Sequence, residues 1–202
     1  MRQARVLVRL NLETRSHHAA VDRPWFELVA NNRSPTEHDY THALVRAYGF
    51  DAAVEAALAY TPSFESLVDT RGRYRAGLIA LDLLSLGLGP GQIATLPQRM
   101  MEPFAGVADA LGWLYVHERA ALCHEPVRRE ILRNSRHLAH ATSYLGAYAG
   151  FVGARFDELG RVLDHYARTR ALEDRIVAAA QDAFRMLEHW LTGPAIAHSA
   201  KR

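Results

Sequence analysis

Apolar residues recur every three or four positions along almost the whole 202-residue chain, the spacing that places them on one side of an α-helix. No segment combines the alternating apolar and polar residues of a β-strand with the turn signals of a hairpin. No repeat of fixed length is found either. The pattern therefore predicts an all-α fold, a single domain over residues 1–202 with about eight or nine helices, in which residues 195–202 form a flexible tail.

Proline and glycine suggest where these helices begin and end. Pro24 is expected to end the first amphipathic helix. In NNRSPTEHDY, Ser34 fits an N-cap, Pro35 the first helical position and Glu37 the end of a capping box. The long, glycine-dotted stretch SRHLAHATSYLGAYAGFVGARFDELGRVLDHYART predicts a helical segment that bends or splits near residues 150–153.

Composition excludes several classes of function. The formal net charge is only +2 and no lysine or arginine block is present, so a nucleic acid partner is not expected. No run approaches the roughly 20 apolar residues of a membrane span, and no secretory signal is recognisable, which predicts a cytoplasmic protein without a membrane partner. Cys123 is the only cysteine, so neither an intrachain disulfide nor an all-cysteine zinc site can form.

Thr14, His18 and Asp22 are spaced four residues apart and therefore share one face of the first amphipathic helix. Neutral imidazole is the commonest protein ligand for haem iron, and a histidine near the end of such a helix can point into a bundle cavity. The same spacing also fits ordinary histidines at a helix end. On this segment alone, both interpretations stay open.

The segment LYVHERAALCHEP places Cys123 beside His124. Adjacent helical residues point about 100° apart, so at most one of the two can face a given cofactor squarely. The pair could serve a metal or supply a nucleophile, which would need a nearby base. A core cysteine beside a surface histidine explains it equally well.

Two further patterns bear on ligand binding. Di-metal carboxylate bundles use Glu-x-x-His on two helices, and no glutamate of this chain has a histidine three residues on. Arg155 follows a stretch of small residues that would let a helix or a flat ligand approach the backbone. Arg155 could hold an anionic group there, or be solvated or paired with a carboxylate.

The order of these segments resembles the haem oxygenase family, in particular the bacterial branch that accompanies bacteriophytochromes. LNLETRSHHAAVD is similar to the family's proximal helix and places His18 at the iron-ligand position. ALGWLYVHERAALCHEPVRREIL is similar to its distal helix, whose family form is close to Leu-Tyr-Val-Leu-Glu-Gly-Ser-x-Leu-Gly-Gly. The resemblance extends over residues 5–192 and includes RYRAGLIALDLLSLG, SYLGAYAGFVGARFDELGRVLDHYA and EDRIVAAAQDAFRMLEHWL.

The resemblance implies cleavage of haem by O₂ and electrons to biliverdin, iron and CO. Haem would lie between one proximal histidine and a kinked distal helix, whose glycines leave room for bound O₂. An electron donor would be needed for that activity. A bacteriophytochrome or another signalling protein is the expected protein partner.

The chain departs from the family at the distal glycines. Arg119 stands at the first glycine position, and Cys123 and His124 replace the Gly-Gly pair. Either the distal helix lies farther from the haem, or His124 or Cys123 ligates iron from the distal side, or haem does not bind.

Two functions follow from these departures: a haem oxygenase with a modified distal pocket, or a non-catalytic haem- or bilin-binding sensor of the same fold. A thiaminase-like bundle with Cys123 as nucleophile is a third interpretation. The expected haem-binding residues, with His18 as proximal and His124 as candidate distal iron ligand, are Thr14, His18, Asp22, Tyr115, Glu118, Arg119, Cys123, His124 and Arg155.

Overall fold

A computed structural model describes residues 4–30 and 34–193, and these residues form ten α-helices with no β-strand. The all-α prediction is confirmed. The helix count exceeds the predicted eight or nine because two helices, α4 and α6, have only four and five residues. The expected flexible tail at residues 195–202 lies outside the described residues. The helices are α1 (Arg5–Glu13), α2 (Arg15–Leu28), α3 (Glu37–Ala59), α4 (Phe64–Leu67), α5 (Ala76–Ser85), α6 (Pro90–Ala94), α7 (Val107–Ala120), α8 (His124–Asn134), α9 (Val152–Tyr166) and α10 (Arg170–Thr192).

The first amphipathic segment is interrupted at Thr14, not at Pro24. Thr14 lies between α1 and α2, and its hydroxyl donates to the Leu10 carbonyl at 2.7 Å. Pro24 lies inside α2, so the expectation that it ends the helix is wrong. A proline there removes one backbone hydrogen bond, but Val21 and Trp25 on either side are buried in the core, and this packing holds the last turn in place.

The helix start near residue 35 is shifted by two residues from its prediction. Thr36, not Ser34, is the N-cap of α3, and its hydroxyl accepts the backbone N–H of Asp39 at 3.1 Å. The Asp39 carboxylate accepts the Thr36 backbone N–H in return, which completes the capping box. The Ser34 hydroxyl instead donates to the Asn134 carbonyl at 2.9 Å and ties this loop to the end of α8.

The segments around the expected distal helix divide into shorter pieces. α7 ends at Ala120, a 3₁₀ turn covers Ala121–Cys123, and α8 starts at His124. A second 3₁₀ turn at Arg136–Ala141 is followed by a series of turns through residue 151. Gly150 has φ +79°, a left-handed conformation that favours glycine, and α9 begins two residues later. The predicted helical segment is therefore wrong before this point, because residues 135–151 contain a 3₁₀ turn and further turns but no α-helix; only the break near residues 150–153 is confirmed.

α7 is the central helix of the fold, since ten of its 14 residues are buried. Its closest neighbour is α10, and Gly112 is the point of contact. A Cβ atom at Gly112 would lie 2.5 Å from the Ile176 carbonyl oxygen and 2.8 Å from the Ala179 Cβ. The two helices can approach this closely only because Gly112 has no side chain.

α1 is held against α9 at its first turn. The Asp164 carboxylate of α9 accepts the backbone N–H groups of Arg5 at 3.1 Å and Val6 at 3.0 Å, which caps the N-terminus of α1. Gly160 lets the two helices meet, because a Cβ there would lie 2.6 Å from the Ala4 Cβ. Across the described residues, no helix combines the length and apolarity needed to cross a bilayer.

We expect Gly112→Ala to lower the free energy of unfolding by about 1–3 kcal/mol, because the added methyl group overpacks the α7–α10 contact. Gly77→Ala in α5 is the matched control, because no atom lies within 4 Å of the position its Cβ would take. That control should be neutral or gain up to about 1 kcal/mol from helix propensity. Urea denaturation measures both. Equal stability of the two variants would contradict the proposed close contact.

Candidate functional site

A groove of about 700 Å³ opens between α1, the end of α7 and α9. Its apolar wall includes Leu7 and Val8 of α1, Leu122 of the 3₁₀ turn and Phe156 of α9. This volume is within the range of small-molecule sites, which are apolar cavities with a few polar groups. The groove can therefore enclose the apolar body of a sizeable small molecule.

Three charged side chains line the same groove. Arg119 stands at the end of α7, while Asp157 and Arg161 belong to α9. Two of these side chains are guanidinium groups and one is a carboxylate. Because guanidinium groups bind carboxylates and phosphates through paired hydrogen bonds, the groove suits a ligand with an apolar body and anionic substituents.

His18 is hydrogen-bonded within its own helix and does not line the groove. Its Nε2 lies 3.1 Å from the Thr14 hydroxyl, whose single proton is donated to the Leu10 carbonyl. The Thr14 oxygen can only accept from His18, so Nε2 carries the proton and donates it. A protonated Nε2 has no lone pair for a metal ion.

The environment of His18 keeps its ring neutral. The ring is half-buried and tilted against Phe184 at 5.4 Å between centroids. Burial, together with the positive charge of Arg119, lowers the pKa of His18 to about 4. At neutral pH the imidazole is therefore uncharged, which a metal ligand requires, although its Nε2 is hydrogen-bonded to Thr14.

Arg119 forms a bidentate ion pair with Asp22 that joins α7 to α2. Its Nη1 donates to Asp22 Oδ1 at 3.1 Å and its Nη2 to Oδ2 at 2.9 Å. Both side chains are largely buried, with 12% and 16% exposure. Since Arg119 also lines the groove, its guanidinium lies between the groove and the face of α2 that carries Asp22. The Arg119 side chain thus covers this face of α2.

Five of the nine expected site residues meet at this contact between α2 and α7. Tyr115 is buried, lines the groove and makes a side-chain hydrogen bond with Thr14. His18 and Asp22 lie one and two turns farther along α2, and Arg119 follows Tyr115 by one turn of α7. The prediction that these residues act on a bound haem stays a prediction, but the structure does bring them together.

Glu118 belongs to a buried ion-pair network on another side of α7. Its Oε1 accepts Arg73 Nη1 at 2.8 Å and the Tyr148 hydroxyl at 3.0 Å. Arg73 also contacts Glu158 at 3.0 Å. Arg73 and Glu118 are both fully buried, so this network fixes α7 against the loop before α5 and does not face the groove.

Cys123 and His124, placed at the Gly-Gly positions, are both buried in the core and neither lines the groove. The Cys123 thiol donates to the Ala120 carbonyl at 3.3 Å, and burial raises its pKa to about 12. The His124 ring packs against Tyr144 at 4.5 Å and Trp25 at 5.5 Å. Burial lowers the pKa of His124 as well. The structure therefore does not place His124 opposite His18 across the groove.

Arg155 points toward the loop before α5 and does not line the groove. Its Nη2 donates to the Gly72 carbonyl at 3.3 Å, and its Nη1 lies 3.6 Å from Glu158. The arginine of α9 that lines the groove is Arg161, which sequence reasoning missed. The available signal was helical spacing, because Phe156, Asp157 and Arg161 recur on one face of α9.

Sequence reasoning also missed a buried group formed by Asp51 and Glu55 of α3 with His117 of α7. The search for Glu-x-x-His could not find it, because the histidine comes from a distant helix. One signal was present in the sequence. The pair Asp51 and Glu55 lies one turn apart in GFDAAVEAALA, where almost every other residue is apolar.

A scan against models of known protein families finds no match to this chain, and a search of curated proteins finds none either.

Native Cys123 should resist alkylation by iodoacetamide at pH 8. With its pKa raised to about 12, roughly one molecule in 10,000 carries a thiolate at that pH, and the thiol is also shielded from the reagent. Mass spectrometry should show no label on the native protein and complete labelling in urea. Stoichiometric labelling of the native protein would instead support Cys123 as an accessible nucleophile.

Proposed function

We propose that this chain is a haem-oxygenase-like protein that binds a haem or bilin in the groove between α1, α7 and α9 without cleaving it. Such a protein serves as a sensor or signalling component, and a bacteriophytochrome is the partner that the resemblance suggests. The observation that carries the proposal is the position of Arg119, which lines the groove while Asp22 holds its guanidinium.

The shape and charge of the groove support tetrapyrrole binding. Haem and bilins are large, mostly apolar molecules with two carboxylates, and the groove pairs apolar walls with Arg119 and Arg161. The hydrogen bond described for Arg161 is a weak one to the Asp157 carbonyl at 3.4 Å. Little therefore has to be broken before Arg161 binds a carboxylate. It is therefore the first candidate to hold a carboxylate of the ligand.

The surroundings of His18 favour binding without cleavage. For iron to reach Nε2, the bond to Thr14 must break, and the Arg119–Asp22 pair must open to bring a ligand from the groove to α2. Iron ligation by His18 therefore does not fit this arrangement, and no step of oxygen chemistry follows from it. What the residues of the groove supply is an apolar enclosure and positive charge at its edge.

The finer fold assignment is part of the same proposal. His18 on an early helix, and Tyr115 and Arg119 on a central helix facing it, match the proximal and distal arrangement that the resemblance implies. Cleavage of haem to biliverdin, iron and CO, with an external electron donor, remains the competing function. It is tested in the same experiment.

Titration of the purified protein with hemin and with biliverdin should show saturable 1:1 binding of at least one of them. Arg161→Ala should weaken binding roughly 10- to 100-fold, because it removes a charge-assisted bond to a carboxylate. Arg155→Ala is the matched control, since that arginine lies outside the groove, and it should bind normally. His18→Ala should leave the ferric absorption spectrum unchanged, and bound haem should stay intact in air with an electron donor.

Three outcomes would count against this proposal. Absence of binding by either tetrapyrrole would remove it altogether. Loss of the Soret band with appearance of biliverdin would establish haem oxygenase activity instead. A changed ferric spectrum in His18→Ala would show that His18 leaves Thr14 and ligates iron.

A further inference from the structure

A second group of side chains lies in the core, well away from the groove residues of α1 and α9. Asp51 and Glu55 of α3 and His117 of α7 each offer a ligand atom, and these atoms lie within 4.8 Å of one another. The His117 Nε2 is 3.3 Å from Glu55 Oε1 and 3.7 Å from Asp51 Oδ2. All three residues are buried.

Several polar atoms of this group have no hydrogen-bond partner. They are Asp51 Oδ2 and both ring nitrogens of His117, and the His117 side chain has 0% exposure. Buried polar atoms are normally satisfied, because leaving one unpaired costs free energy. The His117 Nε2 and the carboxylate oxygens of Asp51 and Glu55 come together without forming a hydrogen bond, an arrangement that suits a cation bound between them.

Acidic groups would match a bound cation, because the buried charged residues around His117 are three with carboxyl groups, Asp51, Glu55 and Glu118, and two with guanidinium groups, Arg73 and Arg75. Imidazole and carboxylate oxygens are ligands that first-row transition metals accept.

We propose that Asp51, Glu55 and His117 form a binding site for one first-row divalent metal ion of the Zn²⁺ or Mn²⁺ type. Ligands about 2.0–2.1 Å from a tetrahedral ion are separated by about 3.3–3.5 Å, and the two distances from His117 are 3.3 and 3.7 Å. A cavity of about 20 Å³, lined by Asp51, His117 and Tyr144 among others, has room for one water as a further ligand.

Groups behind the two carboxylates hold them in place. The backbone N–H groups of Arg75 and Ala76 donate to Glu55 Oε1 at 2.5 and 3.0 Å, and the Tyr144 hydroxyl is hydrogen-bonded to Asp51. Fixed orientation of the ligands by such groups is characteristic of protein metal sites. His117 is held through its backbone, because Arg75 Nη2 donates to its carbonyl at 2.7 Å.

The same surroundings predict which ions bind. Arg75 Nη2 lies 3.4 Å from Asp51 Oδ2, and its positive charge opposes cation binding. An ion that depends on oxygen ligands alone, such as Mg²⁺ or Ca²⁺, gains little from His117. A transition metal gains the imidazole bond. The site should therefore discriminate against Mg²⁺, and it is independent of any ligand in the groove.

The test uses the full chain, stripped with a chelator and then titrated with ZnCl₂, MnCl₂ or MgCl₂. We expect one equivalent of Zn²⁺ or Mn²⁺ to bind by calorimetry. At a free concentration about 100 times Kd, the bound Zn²⁺ or Mn²⁺ should raise the Tm of the protein by roughly 5–10 °C, and Mg²⁺ should leave Tm unchanged. Asp51→Asn and His117→Gln should each weaken binding by more than about 100-fold, since even changes behind the ligands cost 10- to 100-fold.

Glu173→Gln is the matched control, a buried carboxylate on α10 that pairs with Arg5 and Arg9, and it should bind metal normally. The proposal is overturned if the wild type binds neither ion, or if both ligand variants bind as the wild type does. If a ligand variant fails to fold, anomalous diffraction from Zn²⁺-soaked wild-type crystals decides. A peak among the three side chains supports the site, and peaks only at surface histidines overturn it.

Discussion

The contact between α7 and α10 at Gly112 determines where every candidate group of this protein lies. It holds α7 in the centre of the bundle, so that the residues of this helix point into different parts of the interior. Tyr115 and Arg119, one turn apart, face the groove. His117 and Glu118 face the buried charges contributed by α3 and the loop before α5. One helix thus serves two chemically different sites, and its position cannot shift without changing both.

The position of Arg119 has a more specific consequence than the bulk of its side chain. The side chain does not simply fill the groove, because the Asp22 carboxylate fixes its guanidinium in two hydrogen bonds. Thr14 is the hydrogen-bond partner of the His18 ring. The same ion pair covers α2, and Arg119 contributes to the lining of the groove.

The sequence was sufficient for features that depend on local periodicity and insufficient for those that depend on distant partners. Helical spacing predicted the all-α class, the shared face of Thr14, His18 and Asp22, and the break before α9. It could not show that Asp22 pairs with a residue 97 positions away, or that His124 turns into the core. The cap at Thr36 was missed because Ser34 offers the same hydroxyl two residues earlier, and only its contact with Asn134 distinguishes them.

The buried group of Asp51, Glu55 and His117 also depends on a distant partner. The two carboxylates in an apolar helix are visible in the sequence, but the third residue of the group, His117, lies 62 positions after Glu55. Whether two such helices meet depends on the packing of the whole bundle. Local motifs with fixed spacing describe only those sites whose ligands lie on the same helix. Here the ligands lie on two helices, α3 and α7.

Asp164 of α9 caps the first turn of α1, so the two helices that line one side of the groove are held together. The backbone bonds to Asp164 and the close approach at Gly160 oppose separation of α1 from α9. A wider groove would therefore require movement on the opposite side, where the 3₁₀ turn after α7 leads directly into α8.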